Sequence, residues 1–224
     1  MRVVSLVPSV TETLRSWGVT PVACTRFCEQ PDLLTVGGTK NPDLDAIVGL
    51  APDLVVLDEE ENRREDHDAL VTAGVPVLAL AIRSIDDLDA QLPALAGAVG
   101  AEWEPLGAVA GPPASRTAFV PIWRRPWMAL GEPTFGTSML AAIGIGVVPS
   151  DAGPYPEVDL DDVAALAPDL VLVPSEPYDF TDAHLDELAA VAPPMRVDGK
   201  DLLWWGTRTR AALERLSRQL GASE

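Results

Sequence analysis

Apolar positions along the chain form short uninterrupted runs. Between them lie stretches whose apolar residues recur at helical spacing. The clearest pairing of the two patterns occurs twice. Leu44 to Leu57 (LDAIVGLAPDLVVL) returns as Leu160 to Val173 (LDDVAALAPDLVLV). In each copy an amphipathic helix begins near Leu44 or Leu160 and stops at Ala-Pro, because the residue before a proline is pushed out of the helical region. A short, wholly apolar strand follows, as expected of a parallel strand covered on both faces. Two copies far apart predict two similar lobes rather than a solenoid, which needs at least three repeats.

The segments around each copy extend the alternation. Before the first copy, the pattern predicts strand Val3–Val7, a helix over Ser9–Trp17 closed by Gly18, and strand Val22–Thr25. After it come a charged stretch (Asp58 to Asp68), a helix near Asp68–Ala73 ended by Gly74, and strand Val75–Ala81. In the second half, strands are expected at Thr117–Pro121, Trp127–Leu130 and Met195–Val197. Helices are expected at Ser138–Ala142, Asp182–Val191 and Thr207–Leu220. Strands alternating with helices of this length indicate βαβ units and parallel sheets. Ile85–Val99 reads as a helix. Pro105, Gly107, Gly111, Pro112 and Pro113 then bring any helix to an end by about Ala110. The fold class is therefore α/β, with two Rossmann-like lobes that each carry a parallel central sheet flanked by helices. Residues 1–100 form the first lobe, 101–116 a linker or short inter-lobe helix, and 117–224 the second.

Composition narrows the function. The formal net charge of -18 would repel nucleic acid and anionic membranes, so neither is an expected partner. The acids are spread along the chain, which reads as a solvated surface. No run approaches the ~18 apolar residues of a membrane span, so no insertion is expected. Met1-Arg2 leads straight into the first strand without a signal peptide, and the two cysteines, Cys24 and Cys28, are too few for a disulfide framework. A cytoplasmic location is expected; the alternative is export with the signal removed.

Candidate chemistry gathers after strands. Pro8-Ser9-Val10-Thr11-Glu12 follows the first strand, and Ser9 with Glu12 has the spacing of a capping box. A strand end opening into a helix is also where ligands bind in α/β sheets. Phe27-Cys28 crowds an aromatic and a thiol into a loop, the thiol being either a buried small hydrophobe or a ligand for a soft metal. Gly38-Thr39-Lys40 is a glycine turn without the full pattern of a phosphate-binding loop. Glu60-Glu61-Asn62-Arg63 lies in the charged segment 58–66. It serves either as a solvated helix start or as carboxylates facing a ligand or metal. Trp123, Trp127, Phe135, Tyr178, Trp204 and Trp205 all fall in the second half. Adjacent Trp204 and Trp205 cannot both be buried on one strand face. Flat apolar walls with a few polar groups suit a large ring ligand, while core packing is the competing role. No catalytic constellation emerges: there is no G-x-S-x-G elbow and no G-x-G-x-x-G after a strand.

Val3 to Glu12 (VVSLVPSVTE), Val36-Gly37-Gly38 ahead of Leu44–Leu57, and the closing Trp204–Leu213 together resemble the helical-backbone metal receptor superfamily. These are the cobalamin-, haem- and ferric-siderophore-binding components of ABC importers. Thr25-Arg26-Phe27-Cys28, Gly38-Thr39-Lys40-Asn41 and Glu60-Glu61-Asn62-Arg63 resemble a subgroup whose members often lack export signals. The resemblance covers nearly the whole chain. It implies a ligand cleft between two lobes, with the inter-lobe helix shortened here. It also implies a solute-binding protein rather than an enzyme, taking a corrinoid, haem or metal chelate as ligand, with no obligatory cofactor. Ligand contacts are expected from Pro8, Ser9, Thr11, Phe27, Cys28, Gly38, Thr39, Lys40, Glu60, Glu61, Asn62, Arg63, Trp123, Phe135, Trp204 and Trp205, with Cys28, Glu60 and Glu61 as metal donors. The partner beyond the small molecule is an ABC permease or a cytoplasmic acceptor protein. The alternative is a cytoplasmic metal-handling protein or metalloenzyme using Cys28 and the acidic loop 58–66.

Overall fold

The computed structural model describes residues 1–109 and 111–220. The chain divides into two compact units. The first comprises Met1–Ile82, Asp87–Pro105 and Trp205–Thr207; the second comprises Arg83–Asp86, Leu106–Trp204 and the chain from Arg208 onward.

The first unit contains β1 (Val3–Ser5), α1 (Pro8–Ser16), β2 (Ala23–Cys24), β3 (Leu34–Thr35), α2 (Leu44–Gly49), β4 (Leu54–Asp58), α3 (Arg64–Thr72), β5 (Val77–Leu80) and most of α4 (Ile85–Val99). Its five strands pair in parallel in the order β3-β2-β1-β4-β5. Every residue of β4 is buried, as its unbroken apolar run requires of a central strand. Val4, Leu6, Val55 and Leu57 pack there with Ile47 of α2 and Leu70 of α3. In α4, buried Ile85, Leu88, Leu92, Leu95 and Ala96 fall at helical spacing. The helix stops at Val99, and Gly100 continues at φ 72°. Residues 100–109 and 111–115 form no helix or strand; Ala110, the expected outer limit of that helix, lies outside the described residues.

The second unit contains β6 (Arg116–Phe119), β7 (Pro121–Trp123), β8 (Met128–Ala129), α5 (Phe135–Ala141), β9 (Ile145–Val147), α6 (Leu160–Ala165), β10 (Leu170–Pro174), α7 (Asp182–Leu188), β11 (Pro194–Val197), α8 (Gly199–Leu203) and α9 (Thr209–Leu220). Four strands pair in parallel in the order β11-β10-β6-β9. The strand expected over Thr117–Pro121 divides. β6 ends at Phe119, and Pro121, which has no N–H for a ladder, opens the antiparallel pair β7–β8.

The sequence repeat is visible in the backbone of both units. Asp43 and Asp159 cap α2 and α6, accepting the amides of Ala46 (3.0 Å) and Asp161 (2.8 Å). Ala51 and Ala167 each take a left-handed conformation before Pro52 and Pro168. Asp53 then accepts the amide of Arg2 at 2.6 Å, and Asp169 that of Thr117 at 2.6 Å. In each unit the Ala-Pro-Asp-Leu segment fastens the start of the first strand beside the strand it leads into.

Candidate functional site

In a parallel sheet, ligands bind beyond the carboxyl ends of the strands where the strand order reverses. Both units have such a point. In the first, β1 has β2 on one side and β4 on the other; in the second, β6 lies between β9 and β10.

At the first unit's edge, the chain leaves β1 through Leu6-Val7-Pro8. Val7 is the N-cap of α1 and Pro8 its first helical residue. This corrects the expected capping box of Ser9 and Glu12. Proline has its φ already set for the first turn and lacks an N–H there, so the helix starts one residue early. Ser9, now inside the helix, accepts the amide of Trp205 at 3.2 Å through its hydroxyl. Thr11 is also buried, its Oγ1 lying 2.8 Å from Ser5 Oγ, 3.1 Å from Val7 O and 3.1 Å from Cys28 Sγ.

Beyond β2, Arg26–Cys28 forms a short 3-10 turn. Phe27 is 48% exposed, with the Arg26 guanidinium 4.7 Å from its ring centroid. Cys28 turns inward and is 2% exposed. Hydrogen bonding from the Cys24 thiol, aided by Thr11 and Thr25, lowers the Cys28 thiol to about 6 against the opposing effect of burial. Cys24 is shifted upward by the same contact and by burial.

The turn at Gly38 packs closely: a Cβ there would lie 2.6 Å from Asn41 Oδ1 and 2.9 Å from Arg26 Nη2. It is tied to the end of β4 by two contacts. Asn62 Nδ2 donates to Thr39 O (2.9 Å) and to Leu6 O (3.3 Å), while its Oδ1 accepts the Asp58 amide (2.9 Å). Lys40 Nζ donates to Glu60 O at 2.5 Å. Asp58, buried as the last residue of β4, accepts the amides of Glu60 (2.9 Å) and Ile82 (3.3 Å), and burial pushes its carboxyl up to about 6. Glu61 is exposed. Arg63 turns to Asp66 with a two-pronged contact of 3.1 and 3.0 Å. The acidic segment is thus partly core, with Asp58 and Asp66 both buried.

At the second unit's edge, Trp123 at the end of β7 is 43% exposed and meets Tyr178 edge-on, with ring centroids 5.1 Å apart. Tyr178 leans on Phe180 (4.8 Å), which stacks on Trp127 (5.9 Å, 5° between planes). Beyond β10 and β11, the half-buried Trp204 donates its indole N–H to Glu176 Oε1 at 2.5 Å, and Lys200 Nζ lies 4.7 Å from its ring centroid. Gly199 holds this corner tight, because a Cβ would lie 2.7 Å from the Glu176 amide nitrogen. Asp201 beneath it accepts from Arg215 and Arg208, and those contacts, the Arg215 hydrogen bond foremost, lower its carboxyl.

The structure therefore joins Thr11 with Cys28, Thr39 with Asn62, Lys40 with Glu60 and Ser9 with Trp205. It leaves Phe27, Lys40, Glu61, Arg63 and Trp123 exposed. Phe135, the first residue of α5, and Trp205 are each only 4% exposed and pack in the core. The expected metal donors Cys28, Glu60 and Glu61 do not converge: among the described residues no three His, Cys, Asp or Glu side chains are placed to hold an ion. Glu176 and the Thr25 hydroxyl escaped the sequence reading. Both are isolated polar residues whose role depends on partners elsewhere in the chain.

Residues 3–110 match the periplasmic binding protein family. The vitamin B12-binding protein of Salmonella choleraesuis strain SC-B67 is 26% identical over 189 residues, covering 76% of this chain and 71% of that protein. The solved periplasmic vitamin B12 binding protein BtuF of Vibrio cholerae superposes with a TM-score of 0.79 at 19% identity, covering 98% of this chain and 96% of that one. The periplasmic haem-binding protein HutB of Vibrio cholerae does so with a TM-score of 0.80 at 19% identity, covering 99% of each chain. No helix among the described residues is long and apolar enough to cross a membrane.

Proposed function

The chain has the fold of the helical-backbone metal receptor superfamily, with the periplasmic binding protein family matched over residues 3–110, and from that premise we propose that it binds a metal chelate or tetrapyrrole-like small molecule. A corrinoid, haem or ferric siderophore is the ligand class. The observation that carries the reading is that each unit presents aromatic side chains, with polar ones in the first, at or beyond the ends of its strands. Phe27 and Lys40 stand at one edge, Trp123 and Trp204 at the other. In the first unit Phe27 offers a flat surface for a ring and Lys40, Glu61 and Arg63 offer polar contacts; in the second, Trp123 and Trp204 offer flat surfaces. The role is binding rather than catalysis.

The ligand is handed to a partner, an ABC permease or a cytoplasmic acceptor protein. Two free thiols, Cys24 and Cys28, suit a reducing compartment; fractionation of cells producing the native gene product distinguishes cytoplasm from periplasm. The binding itself is tested by tryptophan fluorescence and thermal shift with cobalamin, haemin and ferric chelates. Saturable quenching with one class and a raised Tm support the reading. Absence of both signals with every class removes it.

A further inference from the structure

Cys24 and Cys28 are the only cysteines in the chain, and they are neighbours in space as well as in sequence. Cys24 ends β2, and Cys28 closes the turn that follows. Both are buried and free, and the Cys28 amide folds back onto Thr25 O at 3.1 Å. Their surroundings are not equivalent. Cys28 Sγ also has Thr11 Oγ1 at 3.1 Å and Thr25 Oγ1 at 3.3 Å. It can therefore collect hydrogen bonds from two hydroxyls. A sulfur flanked by two hydroxyls is arranged to carry negative charge, whereas burial favours the protonated form of Cys24. The lowering of Cys28 to about 6 agrees with that geometry.

One thiol held as a thiolate beside a second held as a thiol is the division of labour between an attacking and a resolving cysteine. We propose that Cys24 and Cys28 are a peroxide-reactive pair that closes to an intramolecular disulfide, Cys28 attacking and Cys24 resolving. Cys28 thiolate attacks one oxygen of hydrogen peroxide. The O–O bond breaks, hydroxide leaves and Cys28 becomes a sulfenic acid. The Cys24 sulfur then attacks the Cys28 sulfur. The S–O bond breaks, and the departing hydroxyl takes the Cys24 proton and leaves as water. The hydroxide of the first step takes up the proton that Cys28 gave up on ionising. The balance is two thiols and one peroxide to one disulfide and two waters. A small oxidant suits so covered a site; it enters beside Arg26, Phe27 and Glu29, which are exposed around the turn.

The test uses the full chain, reduced and then freed of reductant, and titrated with hydrogen peroxide. The expected product has lost two hydrogens in intact mass and both thiols in a denaturing thiol assay. After trypsin, peptides Ser16–Arg26 and Phe27–Lys40 remain joined until dithiothreitol is added. In Cys24→Ser, oxidation stops at Cys28 as a sulfenic acid trapped by dimedone. In Cys28→Ser, the Cys24 thiol reacts more than about tenfold more slowly than Cys28 does in the native chain. Three results would overturn the proposal. One is oxygen addition at Cys28 in the native sequence without a link between the peptides. Another is equal reactivity of Cys24 in Cys28→Ser. The third is both thiols surviving in the folded chain at a dose that oxidises the urea-unfolded chain.

Discussion

The Asp169 carboxylate accepts both the backbone amide of Thr117, at 2.6 Å, and its hydroxyl, at 3.1 Å. These bonds favour the ionised form and lower the Asp169 pKa, the amide contact being the larger cause. A depressed folded-state pKa contributes stability above the unfolded value, and that contribution is lost as pH falls through the folded one. Asp169→Asn should therefore lower Tm near neutral pH and show a shallower loss of Tm than the native chain below about pH 4. Parallel acid limbs in a pH series of thermal melts would contradict this.

Glu176 sets the position of Trp204. Glu176→Ala removes the acceptor of the indole N–H and frees the ring from a partner 28 residues away. The expected result is red-shifted tryptophan emission and weaker ligand-induced quenching, with a stability loss below about 2 kcal/mol. Glu176→Gln keeps an oxygen acceptor and should restore most of the signal. Unchanged quenching in Glu176→Ala would separate Trp204 from the ligand site.

Asn62 joins β1, β4 and the Gly38 turn through one amide side chain. Asn62→Ala strands a buried Asp58 N–H and two carbonyls, at a cost of about 3 kcal/mol. Asn62→Asp should be at least as damaging, because a carboxylate would then face the carbonyls of Leu6 and Thr39. Chemical denaturation measures both.

Asp58 behaves oppositely to Asp169. Its pKa is raised to about 6 by burial, so the folded state holds the proton more tightly than the unfolded state. The destabilisation it causes is fully present above pH 6 and is relieved as pH falls from about 6 towards 4, a change of about 3 kcal/mol. The difference in unfolding free energy between the native chain and Asp58→Asn should vary across that window and level off on either side. A constant difference would show that Asp58 titrates normally.

Gly206 runs at φ 114° against α1, and a methyl group there would collide with Thr13 Oγ1. Gly206→Ala should lower stability by about 2 kcal/mol, through strain at a positive φ added to the clash. Thermal melts of Gly206→Ala and of Gly206→Ala with Thr13→Ala distinguish the two sources; only the clash is relieved in the double variant.

Much of the fold was legible because its signals are local. Repetition of Ala-Pro-Asp-Leu carried the helix stop, the left-handed Ala51 and Ala167, and the following buried strand in one short segment. Elements without such a signal were missed. β3 is two exposed residues, β9 is three residues with Gly146 at its centre, and α8 is five residues long. The candidate site was legible as a set of loops but not as contacts. Whether an aromatic stacks on a ligand or fills the core depends on residues far along the chain. Thus Phe135 and Trp205 read the same as Trp123 and Trp204, yet two lie in the core while Trp123 is exposed and Trp204 half-buried. Cys28 likewise draws one of its hydroxyl neighbours, Thr11, from seventeen residues earlier.

The strand of chain from Trp205 to Thr207 lies against α1, where Trp205 N meets Ser9, Thr207 N meets Thr13, and Ser16 Oγ donates to Thr207 Oγ1 at 2.8 Å. Nearly two hundred residues separate these partners in sequence, so the first unit is closed by a segment that reaches it only after the second unit's strands have been traversed. Losing those three residues would uncover one face of α1 while leaving every strand of the first sheet in place.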